Sequence, residues 1–225
     1  MKKVIVLSGA GISAESGLRT FRDADGLWEG HDVLEVASIE GWFKNKALVL
    51  DFYNQRRRQL FQVEPNTAHY FLKELEEHYE VVIITQNVDD LHERAGSSHV
   101  VHLHGELLKA RSTSHPKLVY TWKKDILPGD LCDEGSQLRP HIVWFGEDVP
   151  MMEIACKYCL NADILIVIGT SMQVYPAASL IQFVQQDTQV YFVDPKPNIS
   201  RGSTNLKVIT KKATEAVEDL RKLLL

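Results

Sequence analysis

Val4-Ile5-Val6-Leu7 runs straight into Ser8-Gly9-Ala10-Gly11-Ile12-Ser13, and this junction decides the fold. An apolar run that does not alternate with polar residues reads as a strand covered on both faces, the habit of parallel sheets. Two glycines directly after such a strand let the backbone approach a pyrophosphate closely. A helix starting there adds N–H donors and the positive end of its dipole. The third glycine of a G-x-G-x-x-G pattern is replaced by Ala14. A plain strand-to-helix turn therefore remains the alternative reading of the loop.

Similar runs recur at Val81–Thr85, Val100–Leu103, Ile142–Phe145, Asp163–Ile168, Gln189–Val193 and Leu206–Ile209. Helical patterns lie between most of them. Asn66 reads as an N-cap with Ala68, Phe71, Leu72 and Leu75 on one face, and Ala177–Gln186 and Ala213–Leu224 read as helices. Strands alternating with helices predict an α/β fold, a Rossmann-like parallel sheet with helices on both faces. Two stretches break the alternation. One is aromatic-rich and mostly helical; the other is polar, turn-rich and short in strands. Both read as insertions that form a small lobe, approximately 24–62 and 107–138. The large lobe is then 1–23, 63–106 and 139–225 of a single domain spanning 1–225.

Composition limits the function. The chain has 225 residues, 44% hydrophobic and 24% charged, which fits a soluble globular protein rather than a disordered or fibrous one. A net charge of −5 argues against a dedicated nucleic-acid binder. No apolar stretch approaches the roughly 20 residues of a membrane span. Val4–Leu7 is shorter than a signal-peptide core of about 7–15 residues. These readings predict a cytoplasmic protein with no membrane partner. Cys132, Cys156 and Cys159 are too few, and odd in number, for a disulfide framework.

Polar residues gather at strand ends, where open parallel sheets bind ligands. Gly169-Thr170-Ser171 and Asp194 each follow a strand. Gln86-Asn87-Val88-Asp89 sets amides beside a carboxylate, a pair suited to reading a carboxamide edge or positioning water; helix capping is the competing reading. In Val100–Gly105, alternation puts His102 and His104 on one side. His104, next to Gly105, is a candidate general base. His102 reads as a satisfied polar histidine.

Taken together, these segments resemble the sirtuins, NAD-dependent protein deacylases. The resemblance rests on Gly9–Ser13, Gly17-Leu18-Arg19-Thr20-Phe21-Arg22, Thr85–Asp89, His102–Gly105, Leu138–Glu147 and Gly169–Ser171, in the family's order and over nearly the whole chain. It implies NAD contacts from Gly9, Ala10, Gly11, Ile12, Ser13, Phe21, Arg22, Gln86, Gly169, Thr170, Ser171, Asp194 and Ala213. It makes His104 the catalytic base on the ribose hydroxyl, with Asn87 and Asp89 in the nicotinamide pocket. It implies that an acyl-lysine peptide is held as an added strand between Val143, Phe145, Gly146 and Glu147 on one side and Val174-Tyr175-Pro176 on the other. The products would be nicotinamide, free lysine and an acyl-ADP-ribose. An ADP-ribosyltransferase, a small-molecule deacylase and a non-catalytic NAD or ADP-ribose sensor are the alternatives. A monomer acting on acylated proteins is expected.

The family's four zinc cysteines are reduced here to Cys132, because Ala110–Ser114 has none. One thiol cannot build a tetrahedral site, so no structural zinc is expected. The lobe is expected to close on Leu118, Tyr120, Trp122 and Leu127 instead. Cys156 and Cys159 read as packing on a helix.

Tyr53 and Arg56 share a helical stripe with Val49 and Leu60, while Arg57 and Arg58 leave it toward solvent. An arginine in an apolar stripe wants a partner. The partner is either an internal acid such as Asp51 or Glu64, or a carboxylate at the tip of an acyl chain. The same Tyr-x-x-Arg marks sirtuins that resemble desuccinylases and demalonylases, which favours the second reading.

Overall fold

The computed structural model describes residues 1–19, 27–197 and 205–225. In chain order, the elements are β1 (Lys3–Ser8), α1 (Ala10–Ala14), β2 (Leu27–Trp28), β3 (His31–Asp32), α2 (Val33–Val36), α3 (Ile39–Lys44), α4 (Lys46–Leu60) and α5 (Thr67–Glu74). They continue with β4 (Glu80–Thr85), α6 (Leu91–Arg94), β5 (Val100–His102), β6 (Gly105–Ser112), β7 (Val119–Thr121), β8 (Leu138–Ile142) and α7 (Met152–Leu160). Last come β9 (Ile164–Ile168), a 3₁₀ segment (Ala177–Phe183), β10 (Gln189–Val193), β11 (Leu206–Ile209) and α8 (Val217–Leu224).

Six strands form one parallel sheet in the order β11-β10-β9-β1-β4-β5. The two-residue period of a strand divides each apolar run between two cores. Val4 and Val6 of β1, with Ile164, Ile166 and Ile168 of β9, pack under Phe71 and Leu72 of α5 and Val217 and Leu220 of α8. Ile5, Leu7, Leu165 and Val167 face the other way, against Ala155 and Cys159 of α7 and Leu180 of the 3₁₀ segment. Burial on both faces is why these strands contain no polar alternation, and the expected α/β architecture is what the chain adopts.

The strand order reverses direction at β1. From there the chain proceeds to β4 and β5 on one side and, later, to β9, β10 and β11 on the other. The carboxyl ends of β1 and β9 are therefore the switch point, where a ligand crevice opens. The two loops leaving it are bonded together: Gly9 N donates to Ile168 O (3.2 Å) and Gly11 N donates to Gly169 O (2.8 Å). Gly169 has φ of 65°, and a Cβ there would lie 2.3 Å from Ile12 N. Gly169→Ala is expected to destabilise the protein by about 3 kcal/mol, combining the left-handed backbone with a collision against main chain. A thermal melt unchanged from wild type would remove the loop contact as a structural requirement.

A second sheet, β7-β6-β8, is antiparallel. Three expectations change here. The stretch read as short in strands contributes most of this sheet. The strand expected at Ile142–Phe145 instead ends at Ile142, and Phe145 makes an isolated parallel bridge to Ser38. Trp144 turns into a core with Trp42 and Tyr53, while Phe145 faces outward. Leu118, Tyr120 and Trp122 pack against that core, but Leu127 is exposed and its neighbour Ile126 is buried in its place. Among the described residues, no helix is long and apolar enough to cross a membrane.

Candidate active site

A cleft of about 980 Å³ opens at the switch point and runs toward the second sheet. It brings together Gly9, Ala10, Gly11, Ser13, Gln86, Asn87, Asp89, His104, Gly169, Thr170, Ser171, Asp194 and Ala213. Ile12 lies beneath the wall, fully buried. Phe21 and Arg22 lie outside the described residues. The N–H of Gly11 is engaged by Gly169 O and that of Ile12 by Gly9 O, so the glycines serve first to let the two loops touch.

His104 is fixed from both ends. Its Nδ1 lies 3.0 Å from Gln86 O, and its carbonyl accepts from Val143 N at 2.9 Å. Gly105 follows with φ of 85°, a conformation its lack of a Cβ permits, and a Cβ there would meet His141 O at 2.0 Å. A carbonyl only accepts, so Nδ1 carries the hydrogen and Nε2 holds the lone pair. Burial lowers the His104 pKa, only partly opposed by the Gln86 carbonyl, which keeps the ring neutral near pH 7. His102 has different surroundings. Burial opposes its charge, but Glu93 at 2.6 Å outweighs that and raises its pKa. It is the satisfied histidine expected.

At the deep end, Asn87 Nδ2 donates to Gly9 O (3.2 Å) and Ser13 Oγ (3.0 Å). Its Oδ1 takes no hydrogen bond from the described residues. Asp89 is buried and accepts from Leu91 N at 3.2 Å. Desolvation pushes its carboxyl up to about 6, against the Leu91 amide and the Ser13 hydroxyl. An amide oxygen and a carboxylate, both acceptors, fit the two N–H donors of a primary carboxamide such as that of nicotinamide. Asp194 is also buried, with Oδ1 taking Lys196 N at 2.7 Å.

The other end of the cleft lies against α4, whose first turn is capped by Asn45 Oδ1 accepting from Leu48 N at 3.1 Å. Tyr53 and Arg56 both line it. Trp144 Nε1 donates to Tyr53 Oη at 2.9 Å, so the Tyr53 hydroxyl keeps its own hydrogen for another acceptor. Burial drives its pKa above the ordinary phenol range. Arg56 sits over the Phe52 ring at 5.1 Å, with Nε and Nη1 buried and making no hydrogen bond among the described residues. Its partner is neither Asp51 nor Glu64. Glu29 Oε1 lies 3.3 Å from Nη1, while Asp51 takes Gln55 and Glu64 pairs with Arg94. Arg57, expected in solvent, is 1% exposed and donates to Leu107 O and Asn54 Oδ1, because β6 covers that flank of α4.

Val143, Phe145, Gly146, Glu147 and Val174 line the same end. The Glu147 carboxylate turns inward, 2.7 Å from Arg139 and 3.0 Å from Arg111, and takes Trp144 N at 2.8 Å. Arg139 is stacked 3.4 Å from the Trp144 ring centroid. Glu147 thus shapes this loop from within. Sequence reasoning missed Glu29; its one local signal was Gly30, a residue that punctuates turns, and Glu-Gly flanked by Trp28 and His31 is not among the dipeptides that mark a hairpin.

The chain is similar to known proteins over nearly its whole length. A deacylase of Helicobacter pylori (strain ATCC 700392 / 26695), described as an NAD-dependent protein deacylase, is 61% identical over 220 residues, 98% of this chain and 96% of that relative. A crystal structure of a Sir2 homolog–NAD complex superposes with a TM-score of 0.88 at 39% identity, covering 100% of this chain and 91% of that one. A Sir2 structure with acetyl-ADP-ribose and a deacetylated peptide gives 0.81 at 30% identity, covering 98% and 93%. The model of the Sir2 family matches residues 9–176, from the first glycine of the β1 loop to the proline that follows Tyr175. With its sheet order, its cleft and these matches in agreement, the chain belongs to the Sir2 family.

Proposed function

We propose that the protein is an NAD-dependent protein-lysine deacylase that removes acetyl, succinyl and malonyl groups, releasing nicotinamide and O-acyl-ADP-ribose. The observation that carries this is one cleft holding an unprotonated Nε2 on His104, paired acceptors on Asn87 and Asp89, and the donors of Tyr53 and Arg56. Relatives described as NAD-dependent protein deacylases, and solved relatives with NAD and with a peptide, support it.

NAD would supply the ribose carbon that receives the acyl oxygen, with nicotinamide as leaving group. Each protein group then has one task. Asn87 and Asp89 orient the carboxamide. His104 Nε2 takes a proton from a ribose hydroxyl; its Nδ1–H, held by Gln86 O, fixes the ring's tautomer. Residues 143–147 and 174–176 hold the peptide backbone. Tyr53 and Arg56 receive a carboxylate at the acyl tip, the planar guanidinium offering two parallel donors. No structural zinc enters this reading: Cys132 Sγ donates to Ser112 Oγ at 3.2 Å and accepts from Ser136 N at 3.4 Å.

The test is nicotinamide release from acetyl-, succinyl- and malonyl-lysine peptides, side by side, with wild type and Arg56→Met. The substitution is expected to lower the succinyl-to-acetyl ratio of kcat/KM by about 100-fold, the scale for truncating one partner of a desolvated charge pair. Equal loss on both substrates defeats the acidic-acyl reading. ADP-ribosylated protein as the product, in place of acyl-ADP-ribose, defeats deacylation itself.

A further inference from the structure

The Glu29 side chain is placed in the cleft by a tight turn. β2 and β3 pair antiparallel, Leu27 with Asp32 and Trp28 with His31, leaving Glu29-Gly30 as a two-residue loop. Both loop residues have positive φ, 53° and 83°, as a type I′ turn requires. Asn, Asp and Gly are favoured at the first of these positions; a glutamate with its longer side chain is not. What its length achieves is reach. Oε1 stands 3.3 Å from Arg56 Nη1 and Oε2 stands 3.6 Å from Arg19 Nη1. The Arg56 and Glu29 side chains are only 15% and 14% exposed, whereas Arg19 is 66% exposed. One carboxylate therefore bridges an inner guanidinium in the cleft and an outer one at its mouth.

We propose that Glu29 is a specificity-determining residue, an internal counterion that holds Arg56 and yields it to the carboxylate at an acyl tip. The inference rests on the acidic-acyl reading of Tyr53 and Arg56 and deepens it. Two effects follow from the same contact. With a neutral acetyl chain, Glu29 stays on Arg56, so the cleft never encloses an uncompensated guanidinium. With a succinyl or malonyl chain, two carboxylates compete for one guanidinium, and Glu29 moves toward Arg19 at the mouth. Glu29 thereby keeps one site open to both neutral and acidic acyl groups, weakening the acidic preference that Arg56 alone would impose.

The experiment measures kcat/KM for succinyl- and acetyl-lysine peptides in wild type, Glu29→Gln and Glu29→Asn. Asparagine is the residue the turn prefers, so E29N removes the charge while keeping the hairpin. In both variants the succinyl-to-acetyl ratio is expected to rise about 5- to 10-fold, the scale of one partly exposed ion pair. In the Arg56→Met background the same two substitutions are expected to leave the ratio where Arg56→Met set it, because the competition has lost its object. A ratio that stays level or falls in both variants, while Arg56→Met alone still lowers it, overturns the role of Glu29 and leaves the acyl reading standing. If Arg56→Met alone does not move the ratio, the acyl reading fails and this inference fails with it.

Discussion

Replacing His104 with alanine is expected to lower turnover by about 10²- to 10⁴-fold, the usual contribution of a positioned base, with NAD affinity retained. In the proposed mechanism the two observables separate, because the His104 ring takes the proton while Asn87 and Asp89 orient the carboxamide. The pH profile carries the same signature. The active form is the neutral ring, and burial sets its pKa below 6.5. Activity should therefore hold as pH is lowered through neutrality and fall only at a pH below 6.5. The residual activity of His104→Ala should lack the limb that belongs to this ring. Steady-state nicotinamide release across about pH 5 to 8, beside a calorimetric NAD titration, checks both. Turnover retained in the variant would take His104 out of the mechanism.

Asp89→Asn is expected to act in opposite directions on function and on stability. The folded protein holds this carboxyl at about 6, above its ordinary 3.8, because it is desolvated. A carboxyl whose pKa is raised by folding binds its proton more readily in the native state. Its burial therefore costs nothing below about pH 4, and the cost grows as pH rises and is complete above about pH 6. At pH 7 that cost is on the order of 3 kcal/mol. An amide of the same shape keeps the acceptor for Leu91 N and removes the buried charge. The variant should melt higher by on the order of 5–10 °C at pH 7, with the gain vanishing near pH 4. Nicotinamide release should fall, since one of the two acceptors proposed to face the carboxamide becomes ambivalent. A melting temperature that does not rise at pH 7 would show that the carboxylate is better solvated than its burial implies.

How much of this was legible in the sequence follows from which contacts are local. The parallel sheet was, because burial on both faces leaves no polar residue in Val4–Leu7 or Ile164–Ile168. The second sheet was not. Its strand β6 carries Lys109 and Arg111 on partly exposed positions, and its register with β8 shifts between Glu106 and Ala110. No two-residue rhythm survives such an interruption. Arg57 was misplaced because helical spacing identifies one apolar face, whereas α4 is covered on a second flank by Leu107 and Ile126. The run Ile142–Phe145 looked like a strand because its residues are apolar; tertiary packing instead sends Trp144 to Tyr53. The Glu29 contact with Arg56 joins a turn to a helix, and nothing in the intervening residues encodes that meeting.

The hydrogen bonds between Gly9 and Ile168 and between Gly11 and Gly169 have one more effect. They stitch two loops into a finished wall while the polypeptide folds. The entropy of ordering that wall is lost at folding and does not recur when a dinucleotide docks, so association meets a rigid template along this side.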